Sequence, residues 1–208
     1  MSSIQSITQA RIVAIVRLEN YASAVEVAQA LVDGGITVVE FTLTGSGALD
    51  AISACRETLG DSALIGVGTA LSAADAQQAI SAGAQFVVTP ALRPSVIDVC
   101  KVHAVPVLCG ALTPSEALQA HELGADMIKI FPARAFGPAY IKDLLAPLPM
   151  LKLVPTGGVS AENARAYLDA GAIAVGIGGN LVPASAVARR DWAQITAVAH
   201  ACVQATTS

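Results

Sequence analysis

Lys129 stands in the apolar run Met127-Ile128-Lys129-Ile130-Phe131. In an extended chain successive side chains alternate between faces, so Met127, Lys129 and Phe131 share one face and the two isoleucines the other. A lysine held among apolar neighbours loses its proton more easily than one in water. Its neutral amine can then add to a ketone and form a Schiff base. The same residue also suits a structural role, as the cationic half of a buried ion pair. Glu40 presents the matching choice. In Val38-Val39-Glu40-Phe41-Thr42 the alternation aligns Val38, Glu40 and Thr42. That gives either a carboxylate able to move protons at a substrate carbon or the anionic half of the same pair. Spacing leaves both open.

Two glycine-rich segments suit a different chemistry. Thr156-Gly157-Gly158-Val159-Ser160 and Gly176-Ile177-Gly178-Gly179-Asn180 each expose backbone N–H groups and each lead toward a helix. Such groups ahead of a helix favour an anion, phosphate above all, although either turn alone also reads as a tight connection. The three histidines, His103, His121 and His200, fall in predicted helices or at their ends. No cluster of histidines with carboxylates offers a metal site, so neither metal nor cofactor is expected. Cys55, Cys100, Cys109 and Cys202 are scattered without a CxxC spacing, as suits reduced core residues in the cytoplasm.

The elements that must position these residues recur. Predicted strands at residues 12–17, 37–43, 64–68, 85–89, 105–109, 127–131, 151–155 and 173–177 begin about every 23 residues, each followed by an alanine-rich helical stretch. The runs lack polar alternation, as parallel strands covered on both faces do. Ser72 and Ser160, each followed by an acidic residue in the first turn, are predicted helix caps. Eight strand–helix units in one domain, residues 1–208, point to an α/β fold, the (β/α)8 TIM barrel. An open doubly wound sheet is the competitor. In a barrel the chemistry lies at the C-terminal strand ends, where Arg17, Glu40, Thr69, Pro90, Lys129 with Phe131, and both glycine turns fall.

Composition excludes other classes. Of 208 residues 54% are apolar and only 13% charged, which rules out disorder. A net charge of -4 without a basic block argues against a nucleic-acid partner. Residues 170–188 are free of charge, but Gly176, Gly178, Gly179, Asn180 and Pro183 break the run, so no membrane span is expected. The first residues, MSSIQSITQA, lack a cationic start followed by an apolar block, so no secretory signal is expected.

In this order the residues resemble the class I aldolases that cleave 2-keto-3-deoxy-6-phosphogluconate and related 2-keto-4-hydroxy acids. The likeness is carried by Val39-Glu40-Phe41-Thr42-Leu43, Gly66-Val67-Gly68-Thr69, Val88-Thr89-Pro90, Lys129-Ile130-Phe131-Pro132, Pro155-Thr156-Gly157-Gly158-Val159 and Gly178-Gly179. The resemblance implies a (β/α)8 barrel assembled as a homotrimer. It also implies a phosphorylated keto acid as substrate, with Lys129 the Schiff-base nucleophile and Glu40 the acid/base. Thr69, Pro90 and Phe131 match positions around the pyruvate-derived part of the intermediate. Thr156, Gly157, Gly158, Gly178 and Gly179 match the phosphate turns.

This chain departs from the pattern twice. Thr44 stands where many relatives carry an arginine for the substrate carboxylate, and Arg17 is the cation that could replace it. Asn180 stands where relatives often have serine, which leaves the backbone donors in place. Thr156 resembles the phosphogluconate branch, whereas residues 131–138 resemble the phosphogalactonate branch. The gluconate-derived substrate is favoured. The competing functions are an aldolase for unphosphorylated 2-keto-4-hydroxy acids such as 2-keto-4-hydroxyglutarate, a phosphosugar isomerase or synthase on the same barrel, and a non-catalytic barrel that binds a phosphorylated ligand.

Overall fold

Eight parallel strands alternate with helices in the computed structural model, which describes residues 2–207. The strands are β1 (Ile12–Val16), β2 (Val38–Thr42), β3 (Leu64–Gly68), β4 (Val87–Val88), β5 (Val107–Ala111), β6 (Met127–Ile130), β7 (Leu153–Pro155) and β8 (Val175–Ile177). Their order in the sheet is β7-β6-β5-β4-β3-β2-β1-β8. A parallel bridge between Thr156 and Gly176 brings β7 round to β8, and Ile173 N–H donates to the Leu153 carbonyl at 3.0 Å. The sheet is therefore a nearly closed (β/α)8 barrel and not the open competitor.

Several strands are shorter than the sequence predicts: β4 spans 87–88 where 85–89 is expected, β7 153–155 where 151–155 is expected, and β8 175–177 where 173–177 is expected. β5 begins two residues later than predicted, because Pro106 has no N–H to give the ladder. It runs on through Gly110 to Ala111, whose carbonyl accepts from Phe131 N–H at 3.0 Å. The predicted helix cap at Ser72 is present. Its hydroxyl accepts from Asp75 N–H at 3.1 Å, and the Asp75 carboxylate accepts from Ser72 N–H at 3.0 Å, opening α4 (Ala73–Ser81). The second predicted cap is not where it was expected. The helix α8 (Ala164–Asp169) starts after Asn163, whose side chain accepts from Ser160 N–H at 3.0 Å and donates to the Gly158 carbonyl at 2.9 Å.

The strand parity read from the sequence holds. Ile128 and Ile130 join the apolar layer between sheet and helices. Met127 faces inward with Val13, Val38, Phe86, Leu108 and Val154. Below them lies α1 (Ser3–Ala10), whose Ile7 is fully buried against this inner cluster and closes the lower end of the barrel. Burying one such side chain contributes about 1.5–3 kcal/mol. The charge-free run at 170–188 resolves into β8, a glycine turn and α9 (Ala184–Ala188). Among the described residues no helix is long and apolar enough to cross a membrane.

Candidate active site

Lys129 and Glu40 point inward from β6 and β2 on the level above the apolar inner cluster. Both are buried, at 5% and 1% exposure, and Lys129 Nζ lies 4.0 Å from Glu40 Oε1. A buried ion pair kept for structure closes to a charge-assisted hydrogen bond of about 2.7–2.9 Å. This one does not, and Glu40 Oε1 is buried with no hydrogen-bond partner among the described residues. Burial drives both groups toward neutrality. It pushes the Lys129 amine below the ordinary lysine range; Glu40 opposes that shift and Arg17 adds to it. Burial likewise pushes the Glu40 carboxyl up, with Lys129 and Arg17 pulling it back. Space for the carboxylate comes from Gly68 at the end of β3. A methyl group there would lie 2.5 Å from Glu40 Oε1.

Above this pair opens a cavity of about 410 Å³ at the C-terminal rim. Lys129 and Phe131 line its inner part, with the Lys129 amine 5.4 Å from the Phe131 ring centre. Thr156, Gly157, Gly158, Gly178, Gly179 and Asn180 line it from β7 and β8, as the sequence predicts, and Arg17 lines it from β1. The Phe131–Pro132 peptide is cis. The chain then passes directly under the first glycine turn, where Ala133 N–H donates to the Thr156 carbonyl at 2.7 Å and Arg134 N–H to the Gly157 carbonyl at 2.9 Å. Three predicted residues do not line this cavity: Glu40, which lies behind Lys129, and Thr69 and Pro90. Thr69 and Pro90 follow β3 and β4 at the same rim, with Thr69 in a left-handed conformation at φ 64° and Pro90 packed against Gly110, the β5 partner of Lys129.

Among the described residues no three His, Cys, Asp or Glu side chains gather as a metal site. Lys101, Lys142 and Lys152 are exposed. A family model for KDPG and KHG aldolase matches residues 4–198 of the chain. The chain belongs to that family. This aldolase is 36% identical to the 2-dehydro-3-deoxy-phosphogluconate aldolase of Treponema pallidum, over 96% of this chain and 95% of the relative. It is 37% identical to the 2-dehydro-3-deoxy-6-phosphogalactonate aldolase of Escherichia coli, over 83% and 84%. Its fold superposes with a TM-score of 0.90 on the KDPG aldolase of Legionella pneumophila, solved with pyruvate captured as a covalent carbinolamine. That match is 28% identical and covers 97% and 98% of the two chains.

The cavity of this aldolase holds one charged residue that the sequence reading did not single out. Arg134 lines it from the short 3-10 turn Ala133–Ala135. The turn follows no strand or helix period, so alternation could not point to it. Its only local sign was a basic residue five positions after Lys129. Ile15 and Val159 also line the cavity and are apolar walls.

Proposed function

We propose that this aldolase cleaves 2-keto-3-deoxy-6-phosphogluconate, or its galactonate epimer, to pyruvate and glyceraldehyde 3-phosphate through a Schiff base on Lys129. The observation that carries the reading is the buried pair held 4.0 Å apart, with one carboxylate oxygen free of hydrogen bonds among the described residues. Burial pushes the Lys129 amine toward the neutral form that attacks a ketone and the Glu40 carboxyl toward the protonated form that can give a proton away.

The steps follow from that pair. Lys129 Nζ adds to the C2 ketone, and the protonated Glu40 carboxyl gives its proton to the departing hydroxyl, so that water leaves and a protonated imine remains beside the Glu40 carboxylate. Glu40 takes the C4 hydroxyl proton, the C3–C4 bond breaks, and its electron pair moves through C3 and C2 to the imine nitrogen. The C4 fragment leaves as glyceraldehyde 3-phosphate. The enamine carbon C3 then takes the proton from Glu40, and water hydrolyses the regenerated imine to pyruvate and free neutral lysine, its spare proton returning to the Glu40 carboxylate. The imine is the electron sink, so the sequence of steps requires no metal.

Arg17, beside the reacting pair, receives the carboxylate next to the ketone, and Phe131 walls the pyruvate portion. Thr69 and Pro90 are assigned to that portion by resemblance to the family. The turns Thr156-Gly157-Gly158 and Gly178-Gly179-Asn180 hold the phosphate through backbone N–H groups. Thr156, which lines the cavity, supports the gluconate-derived substrate. We read residues 1–208 as one domain that works as a cytoplasmic homotrimer. Four free, buried cysteines suit a reducing compartment.

The test is trapping. Pyruvate with borohydride should add a reduced adduct to the protein, seen by intact mass, and Lys129→Ala should abolish both adduct and cleavage. An adduct that persists in Lys129→Ala, on Lys101, Lys142 or Lys152, would overturn the assignment.

A further inference from the structure

We propose that Arg134 is a specificity-determining residue that grips the distal phosphate of the substrate across the Gly157–Gly158 turn, so that this aldolase prefers phosphorylated keto acids. The proposal rests on the aldol-cleavage reading above and names what recognises the far end of that substrate.

The geometry carries it. Arg134 is fastened to the turn by its own N–H, 2.9 Å from the Gly157 carbonyl. Its aliphatic stem crosses directly over Gly158: a methyl group there would lie 2.5 Å from Arg134 Cβ and 3.2 Å from its Cδ. The other side of the turn faces Phe131, whose ring would lie 3.1 Å from a methyl group on Gly157. The wall of the cavity therefore runs from Lys129 to Phe131, then Gly157, Gly158 and the Arg134 side chain. That path leads from the reacting amine to the mouth. Arg134 is exposed, and among the described residues its side chain has neither an ion-pair partner nor a hydrogen bond.

The two cavity arginines thus divide the substrate. Arg17 lies within the electrostatic reach of both Lys129 and Glu40, whereas Arg134 stands farther along the wall, beyond Phe131 and Gly157 and against Gly158. In a 2-keto acid the carboxylate adjoins the ketone, so it falls to Arg17. An anion at the opposite end of the carbon chain falls to Arg134. That anion could be a phosphate or, in a glutarate-like aldol, a second carboxylate. Phosphate fits better, because its three terminal oxygens can meet both the guanidinium fork and the N–H groups of the glycine turns.

The test is a preference ratio. kcat/KM is measured for 2-keto-3-deoxy-6-phosphogluconate, 2-keto-3-deoxygluconate and 2-keto-4-hydroxyglutarate with the wild type, Arg134→Ala and Arg134→Lys. The ratio of the phosphorylated substrate to its unphosphorylated counterpart should fall roughly 10- to 100-fold in Arg134→Ala, the loss expected for hydrogen bonds to a charged group. Arg134→Lys, which keeps the charge but not the fork, should fall between the two. A ratio within twofold of wild type overturns the proposal, whether activity drops on all substrates or on none. A larger loss on 2-keto-4-hydroxyglutarate than on the phosphorylated aldol overturns the phosphate assignment. Pyruvate has no distal anion, so borohydride trapping reports on Lys129 separately. If the wild type fails to trap pyruvate, the aldolase reading falls and this proposal falls with it.

Discussion

The amine of Lys129 responds to three influences of known sign. Burial and Arg17 lower its pKa from the ordinary 10.5, and Glu40 raises it. Attack on a ketone needs the neutral amine, so trapping should increase with pH along a limb set well below the usual lysine range. Removing Arg17 removes a repulsion that favours the neutral form. With Arg17→Leu and saturating pyruvate, the acidic limb of the trapping rate should therefore move to higher pH. An unmoved limb, or one displaced to lower pH, would take Arg17 out of the field of the reacting pair. At this scale the sequence was partly legible. Alternation in 127–131 and 38–42 identified Lys129 and Glu40, because a strand writes its inner face into every second residue. It did not separate a catalytic pair from a structural one, since strand parity carries no distance between residues 89 positions apart. Arg134, in a 3-10 turn, left no periodic trace.

Among the elements, the ends of β1 and β2 are clamped by Tyr21. Its buried hydroxyl lies 3.0 Å from the Val16 carbonyl, 2.8 Å from the Thr42 carbonyl and 3.1 Å from the Thr42 hydroxyl. It also accepts from Thr42 N–H at 3.1 Å. Val16 precedes Arg17, and Thr42 is two residues beyond Glu40, so the clamp fixes the two strand ends that carry them. Tyr21→Phe leaves buried backbone groups unpaired and should destabilise the fold by about 1–3 kcal/mol. Denaturant unfolding measures this, and kcat/KM should fall alongside as the strand ends loosen. Unchanged stability would show that the clamp contributes nothing. No pattern in the sequence announces Tyr21, because its partners lie on two strands and are mostly main-chain atoms. Local chemistry was easier to see. The Ser72 cap was legible because both partners lie within four residues, whereas Ser160 looked alike but precedes α8, which starts after Asn163 with no side-chain cap hydrogen bond.

For the whole molecule, the eightfold recurrence made the fold class legible, yet closure rests on the Thr156–Gly176 bridge, a long-range pairing that no local run encodes. Charge is distributed with similar economy. The chain carries a net charge of -4, but Arg17, Lys129 and Arg134 line the one rim cavity that contains Lys129, and no carboxylate lines it with them. The feature with the widest consequence is the floor that Ile7 of α1 makes under the barrel. A vessel sealed at the base has one doorway, and one doorway imposes a queue. In the proposed reaction pyruvate is bonded to Lys129 at the bottom and the phosphorylated aldehyde is formed above it, so the aldehyde should depart first and pyruvate last. Steady-state kinetics can see that order. Pyruvate should inhibit competitively against the aldol, because both seek the empty enzyme, and glyceraldehyde 3-phosphate should give a mixed pattern. The reverse assignment of patterns would mean that pyruvate can leave past a bound aldehyde, by a second exit that α1 does not stop.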